Sequence, residues 1–115
     1  ITLSFGLRNF SDIDKSIQEC YRVLKYGGKI YCLEFSPSYS KSIKPSYDFY
    51  SNKIIPKIGK LIAKNENAYQ YLTDSIHNFY HNPELKNIFN KNGFFCYTEK
   101  KYLGGIAILN VFSKV

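Results

Sequence analysis

Methionine and tryptophan are both absent from the 115 residues. The chain opens at Ile1 with an apolar run already under way. The expectation is therefore a piece of a longer protein, cut inside a domain and leaving a sheet edge that needs a partner. Cysteine is scarce: Cys20, Cys32 and Cys96 are odd in number, widely spaced, and form no CxxC pair. That pattern supports neither a zinc ribbon nor a disulfide framework, and it suits a reducing compartment. No apolar run approaches the ~20 residues of a membrane span. Acidic residues are also few, 9 against 16 lysines and arginines, for a net charge of +7. The lysines are scattered through the second half, which favours a solvated basic surface. Aromatics are plentiful, with 11 Tyr and 9 Phe. Interleaved with lysine they keep a single-strand nucleic-acid binder in play as a competing class, although no RNP-like strand motif accompanies them.

Hydrophobic periodicity divides the chain into alternating elements. Ile1 to Phe5 reads as a short strand and Gly6 to Phe10 as a loop. Ser11 and Asp14 have capping-box spacing. The helix behind them carries Ile13, Ile17, Tyr21 and Leu24 on one face, and Gly27-Gly28 is expected to end it with a left-handed cap. Lys29 to Phe35 is a second strand, so nearly continuous in apolar residues that burial on both faces is expected. Strand, helix, glycine turn and strand make one right-handed crossover. A polar loop over 36–44 closes at Pro45, and 46–66 reads as a helical stretch interrupted at Pro56 and Gly59. A helix over 66–79 follows, with Tyr69, Leu72, Ile76 and Phe79 on one face. Pro83 starts another, with Leu85, Ile88 and Phe89 facing in and Gly93 as its stop. Phe94 to Leu103 and Ile106 to Phe112 are strands joined by Gly104-Gly105, a link too short for anything but an antiparallel hairpin. The fold class is α/β: a mostly parallel sheet with an antiparallel last strand.

Several stretches resemble one family. Arg22-Val23-Leu24-Lys25-Tyr26-Gly27-Gly28, followed by a strand ending in Leu33-Glu34-Phe35-Ser36, is similar to the R-V-L-K-P-G-G and L-E-F-S signature of the ubiquinone/menaquinone biosynthesis C-methyltransferases. Only Tyr26 departs from it, where proline is usual. Ser4-Phe5-Gly6-Leu7-Arg8-Asn9 resembles the family's S-F-G-L-R-N loop. Tyr47 to Ser51 and Ile55 to Gly59 resemble its Y-D-x-Y-S and P-x-I-G elements, and Tyr69 to Ile76 its Y-x-Y-L-x-E-S-I helix, with Asp74 for Glu. Leu103 to Ala107 matches the end of the pattern more weakly.

The resemblance implies a Rossmann-like, class I methyltransferase. Residues 1–115 would be the C-terminal part of its single domain, with a helical substrate-pocket insertion at about 45–80, and the glycine-rich donor loop would lie before Ile1. It implies S-adenosylmethionine as methyl donor, held in part by Ser4, Phe5 and Gly6. Gly6 is expected to let the chain turn sharply beside the ligand. Arg8 and Asn9 are the catalytic candidates. Methylating a ring carbon requires deprotonation of a neighbouring hydroxyl, and arginine is too weak an acid to serve as the base. Arg8 is therefore expected to stabilise the phenolate or hold a water, with Asn9 orienting the hydroxyl. Glu34 has two readings, a base or the partner of a basic residue. His77 and His81, four apart on one expected helix, read as an exposed pair rather than metal ligands.

By resemblance the substrate is a polyprenyl methoxy-benzoquinol of ubiquinone biosynthesis. Demethylmenaquinol, or a non-catalytic scaffold role in a quinone-synthesis complex, is the alternative. The aromatic insertion can wall a prenyl pocket, and Lys53, Lys57, Lys60 and Lys64 can rest on anionic headgroups. Peripheral membrane contact, a homodimer or quinone-synthesis complex and no nucleic acid are the expected partners. The expected place is the mitochondrial matrix face of the inner membrane, or else the bacterial cytoplasm.

Overall fold

A computed structural model describes residues 1–37 and 66–115. The expected helical stretch over 46–66, with its aromatic wall and its four lysines, lies outside the described residues, as does the side chain of Tyr69. In order, the described chain forms strand β1 (Thr2–Ser4), a 3-10 turn (Leu7–Asn9), helix α1 (Ile13–Val23) and strand β2 (Lys29–Phe35). Helices α2 (Glu66–His77) and α3 (Asn82–Lys91) follow. Strand β3 (Phe94–Tyr102), a 3-10 turn (Leu103–Gly105) and strand β4 (Ala107–Lys114) complete it.

The sheet order is β1-β2-β4-β3. β1 pairs parallel with β2, and β4 runs antiparallel to both β2 and β3. Three strands thus share a direction, and the reversed last strand inserts between the second and third. The hairpin link is longer than the expected two residues. β3 ends at Tyr102 and β4 begins at Ala107, with Leu103, Gly104 and Gly105 all at positive φ (52°, 67° and 98°). The turn needs that run of left-handed backbone, which only its two glycines adopt without strain.

Two further expectations shift by a residue or more. Asp12, not Ser11, caps α1: its carboxylate accepts from the Lys15 backbone N–H at 3.0 Å. The carboxylate also faces the positive helix end, which a serine hydroxyl answers less well. Gly27-Gly28 does not cap α1, because Leu24 has already turned extended. The glycines instead complete a turn in which Gly28 N–H donates to Lys25 O at 2.8 Å, with Gly27 at φ +78° in its third position. That geometry wants glycine third and favours proline second, the place Tyr26 occupies. The end of α1 is closed from the far end of the chain: Lys114 Nζ donates to Tyr21 O at 2.6 Å and Leu24 O at 2.8 Å. A buried cation thus meets the negative end of the helix.

Burial of β2 alternates rather than running through both faces. Ile30, Cys32 and Glu34 are buried, while Tyr31 points to the other side and is 45% exposed. Among the described residues the core therefore lies mainly on one face, between the sheet and the helices, although Val111 of β4, paired with Tyr31, is buried on the other. Leu7, Ile17, Ile30, Cys32, Phe79, Leu85, Phe89, Phe94 and Phe112 form it. At its centre Phe89 of α3 stacks on Phe112 of β4, 3.8 Å between ring centroids and 5° from parallel. His77 and His81 do not share a helix: α2 ends at His77, and His81 is the N-cap of α3. Both are exposed.

Phe89 has no exposed surface. Phe89→Ala is expected to lower the unfolding free energy by about 3–5 kcal/mol, measured by urea denaturation followed by circular dichroism.

Candidate functional site

The carboxyl ends of parallel strands are where open α/β sheets bind ligands. At that end of β1 the chain leaves the sheet through Ser4, Phe5 and Gly6. Ser4 is exposed and pairs with Leu33 of β2. The sharp turn expected at Gly6 is made one residue earlier. Phe5 stands at φ +56°, while Gly6 has an ordinary right-handed φ of −108°. Left-handed backbone at a bulky residue is costly and gathers at functional sites. Two contacts hold it: Phe5 N–H donates to Leu33 O at 2.8 Å, and its ring packs against Phe35 with centroids 4.5 Å apart. Among the described residues the space above Gly6 is open, since an added Cβ would find only Ser4 O, at 3.9 Å.

The turn then tightens into the 3-10 element, which sinks Leu7 into the core at 1% exposure and brings Arg8 over the end of β2. Arg8 Nη1 lies 2.7 Å from Glu34 Oε1 and also donates to Phe5 O at 2.7 Å. Its Nε donates to Ser75 Oγ of α2 at 3.2 Å, and its backbone N–H reaches Glu34 Oε2 at 3.4 Å. The guanidinium also lies over the Phe35 ring, 5.5 Å from its centroid. Side-chain exposure is 8% for Arg8 and 3% for Glu34. Of the two roles open to Glu34, the structure shows the ion pair. Its Oε1 also accepts from the Phe35 N–H at 3.0 Å.

The site residues expected from the sequence thus share one rim of the sheet. Ser4, Phe5 and Gly6 form its outer lip, Arg8 and Glu34 its buried floor, and Asn9 stands exposed at its edge. Two participants went unrecognised, Ser75 and Tyr71. Tyr71 donates its hydroxyl to Asn9 Oδ1 at 3.0 Å. Their spacing of four places them on the same helix face. That polar pair in an amphipathic helix is the signal that could have revealed them.

The cysteines stand apart from this chemistry. Burial, with the Glu34 carboxylate adding to it, pushes the Cys32 thiol up to about 12. Burial raises Cys20 and Cys96 as well. None is a poised thiolate nucleophile. Among the described residues no group of three or more His, Cys, Asp or Glu is placed to hold a metal ion, and no helix is long and apolar enough to cross a membrane.

Comparison with known proteins identifies the family. The profile of the ubiE/COQ5 methyltransferase family matches residues 1–114. A protein of Xanthomonas oryzae pv. oryzae named ubiquinone/menaquinone biosynthesis C-methyltransferase UbiE is 44% identical over 110 residues, covering 96% of this chain and 44% of its own length. Proteins of the same name from Stenotrophomonas maltophilia and Legionella pneumophila are also 44% identical, over 110 and 111 residues, with the same coverage of each chain. The chain therefore spans less than half the length of these curated relatives. All three come from bacteria, so they lend no support to a mitochondrial location. With the profile running almost end to end and the S-F-G-L-R-N loop and L-E-F-S strand end meeting at one rim, the chain belongs to the ubiE/COQ5 methyltransferase family, and its sheet is the later part of that Rossmann-like fold.

Proposed function

We propose that the complete protein carrying this chain transfers a methyl group from S-adenosylmethionine to a ring carbon of a polyprenyl quinol. The observation that carries this reading is the 2.7 Å contact between Arg8 and Glu34, which joins two separately matched motifs into one rim. A methoxy-benzoquinol is the favoured acceptor. Demethylmenaquinol is the second, since the relatives' name covers both quinone pathways.

The rim fits a donor of this kind. The exposed Ser4 hydroxyl, the half-buried Phe5 ring and the open space above Gly6 can hold it while letting it approach the strand ends. The bound donor supplies a methyl made electrophilic by its sulfonium. Asn9 meets the quinol oxygen through its side-chain amide. Arg8 is held in place by Glu34, Phe5 O and Ser75, and its Nη2 bonds to nothing among the described residues. That remaining donor stabilises the oxygen as its proton leaves to solvent, so that the adjacent ring carbon becomes electron-rich. A new carbon–carbon bond forms as the carbon–sulfur bond breaks, its electron pair staying on sulfur. The ring then rearomatises by losing the proton from the methylated carbon. Alignment of the two reactants supplies much of the acceleration.

The acceptor's prenyl tail calls for peripheral contact with a membrane. The relatives' sources favour a bacterial cytoplasmic setting over the mitochondrial one.

Two variants test the assignment in the complete enzyme. Asn9→Ala is expected to lower kcat by about 100-fold with donor affinity by calorimetry unchanged, and Arg8→Ala to lower kcat at least as much together with a lowered denaturation midpoint, because it leaves Glu34 buried without its counter-charge. Turnover equal to that of the unaltered enzyme would refute the role of the residue concerned. Glu34→Gln keeps the volume but strips the buried guanidinium of its counter-charge. It is expected to cost about 3–5 kcal/mol of stability, read as a lowered denaturation midpoint, together with a loss of turnover as Arg8 loses its place.

A further inference from the structure

The acceptor side of the rim holds a hydrogen bond that the reaction above does not use. Tyr71, on α2, donates its hydroxyl to the side-chain oxygen of Asn9, in the 3-10 turn, at 3.0 Å. The two residues are 62 positions apart, so only the tertiary fold brings them together. One turn along the same helix, Ser75 accepts from Arg8 Nε at 3.2 Å and donates its own hydroxyl to Leu72 O at 2.8 Å. Consecutive residues of the turn, Arg8 and Asn9, are thus engaged by helix residues four apart. This is a two-point attachment fixed by the helical repeat. Apolar packing of the buried Ile76 and half-buried Leu72 holds the helix itself, so the polar contacts are free to set direction.

The direction they set is that of an amide. An asparagine side chain offers a carbonyl acceptor at one end and an amino donor at the other, nearly equal in shape. The Tyr71 hydroxyl can serve either end, so it restrains the plane of the amide, and in this structure it does so by donating to Oδ1. With Oδ1 turned to Tyr71, the Asn9 Nδ2 amino group faces away and bonds to nothing among the described residues. An oxygen that gains negative charge needs a donor aimed at it beforehand. A freely turning amide would present its carbonyl for part of the time, and that orientation repels the charge.

We propose that Tyr71 is a positioning residue for methyl transfer: its hydroxyl, by donating to Oδ1, holds the Asn9 amide in the orientation that turns the amino group to the quinol oxygen. This rests on the acceptor-side role of Asn9 given above. Tyr71 itself takes no proton and contacts no reacting atom. Its ring is 61% exposed, so removing the hydroxyl leaves the core untouched.

A double-mutant cycle in the complete enzyme, with a short-chain quinol as acceptor, tests it. Tyr71→Phe is expected to lower kcat by about 3- to 10-fold, the worth of one net hydrogen bond, with the KM for S-adenosylmethionine and the thermal midpoint unchanged. In an Asn9→Ala background the same change is expected to do nothing further, because no amide remains to orient. A loss of equal size in both backgrounds would show that Tyr71 acts by another route and would overturn the proposal, as would no loss in the Asn9-containing enzyme. An Asn9→Ala enzyme as fast as the parent is a different result, since it removes the role of Asn9 itself.

Discussion

The buried pair of Arg8 and Glu34 is the contact on which both the fold and the rim depend. Glu34 occupies a position whose strand parity, shared with Ile30 and Cys32, turns it into the core. A carboxylate there is tolerated only if it is paired and its remaining lone pairs are satisfied. The partner must also reach several acceptors at once, because the pair sits where three elements meet. Arg8 does so with two nitrogens, bonding Glu34, the Phe5 carbonyl and Ser75. A lysine, with one charged nitrogen and no planar fork, cannot span them in the same way. The end of β2, the turn after β1 and helix α2 are thus tied through a single guanidinium.

Strain collects at the same end of the sheet. Two non-glycine residues stand at positive φ among the described residues, Phe5 and Leu103. Phe5 follows β1, and Leu103 lies in the link between β3 and β4, whose far side, at Ala107, pairs with Phe35. Both therefore sit along the edge where the strands deliver their carboxyl ends. Elsewhere in the sheet the one irregularity among the described residues is a register shift between Cys96 and Thr98 of β3, and the left-handed non-glycine backbone is confined to the rim, as expected where shape is held for a ligand.

What the sequence made legible follows from how local each signal was. The crossover from Leu3 through α1 to β2 could be read because helical and strand periodicities change over at Gly27-Gly28, within a few residues. The reversed last strand was legible from a link too short for a crossover, although the turn proved longer than its two glycines. The cap of α1 was misplaced by one residue, because Ser11 and Asp12 are both competent and only backbone geometry chooses between them. Burial of β2 on both faces was misread because Tyr31 counts as apolar in a pattern yet tolerates solvent at its hydroxyl end. Arg8 and Glu34 follow or end neighbouring strands, which puts them on the ligand side of an open α/β sheet. Their direct bond was not foreseen, since a contact 26 residues apart leaves no periodic trace. Tyr71 and Ser75 show their common helix face in their spacing, but what that face meets, 62 and 67 residues away, leaves no such trace.

The ion pair also settles a conflict built into the proposed chemistry. In the proposed reaction the donor would bring a positive sulfonium to the rim, and the acceptor would develop a negative oxygen beside it. An uncompensated arginine would favour the oxygen but repel the sulfonium, and in a site sheltered from water both effects grow. Glu34, 2.7 Å from Nη1, makes the pair neutral overall while leaving the direction of the remaining N–H bonds intact. Under the proposed roles the acceptor would then meet oriented dipoles instead of a net charge, from Arg8 on the buried side and from the Asn9 amide at the edge. Dipoles held in place beforehand discriminate by position, so they can stabilise one oxygen without acting equally on a cation placed elsewhere. On that view the pairing of the arginine is a condition for both reactants to occupy one rim.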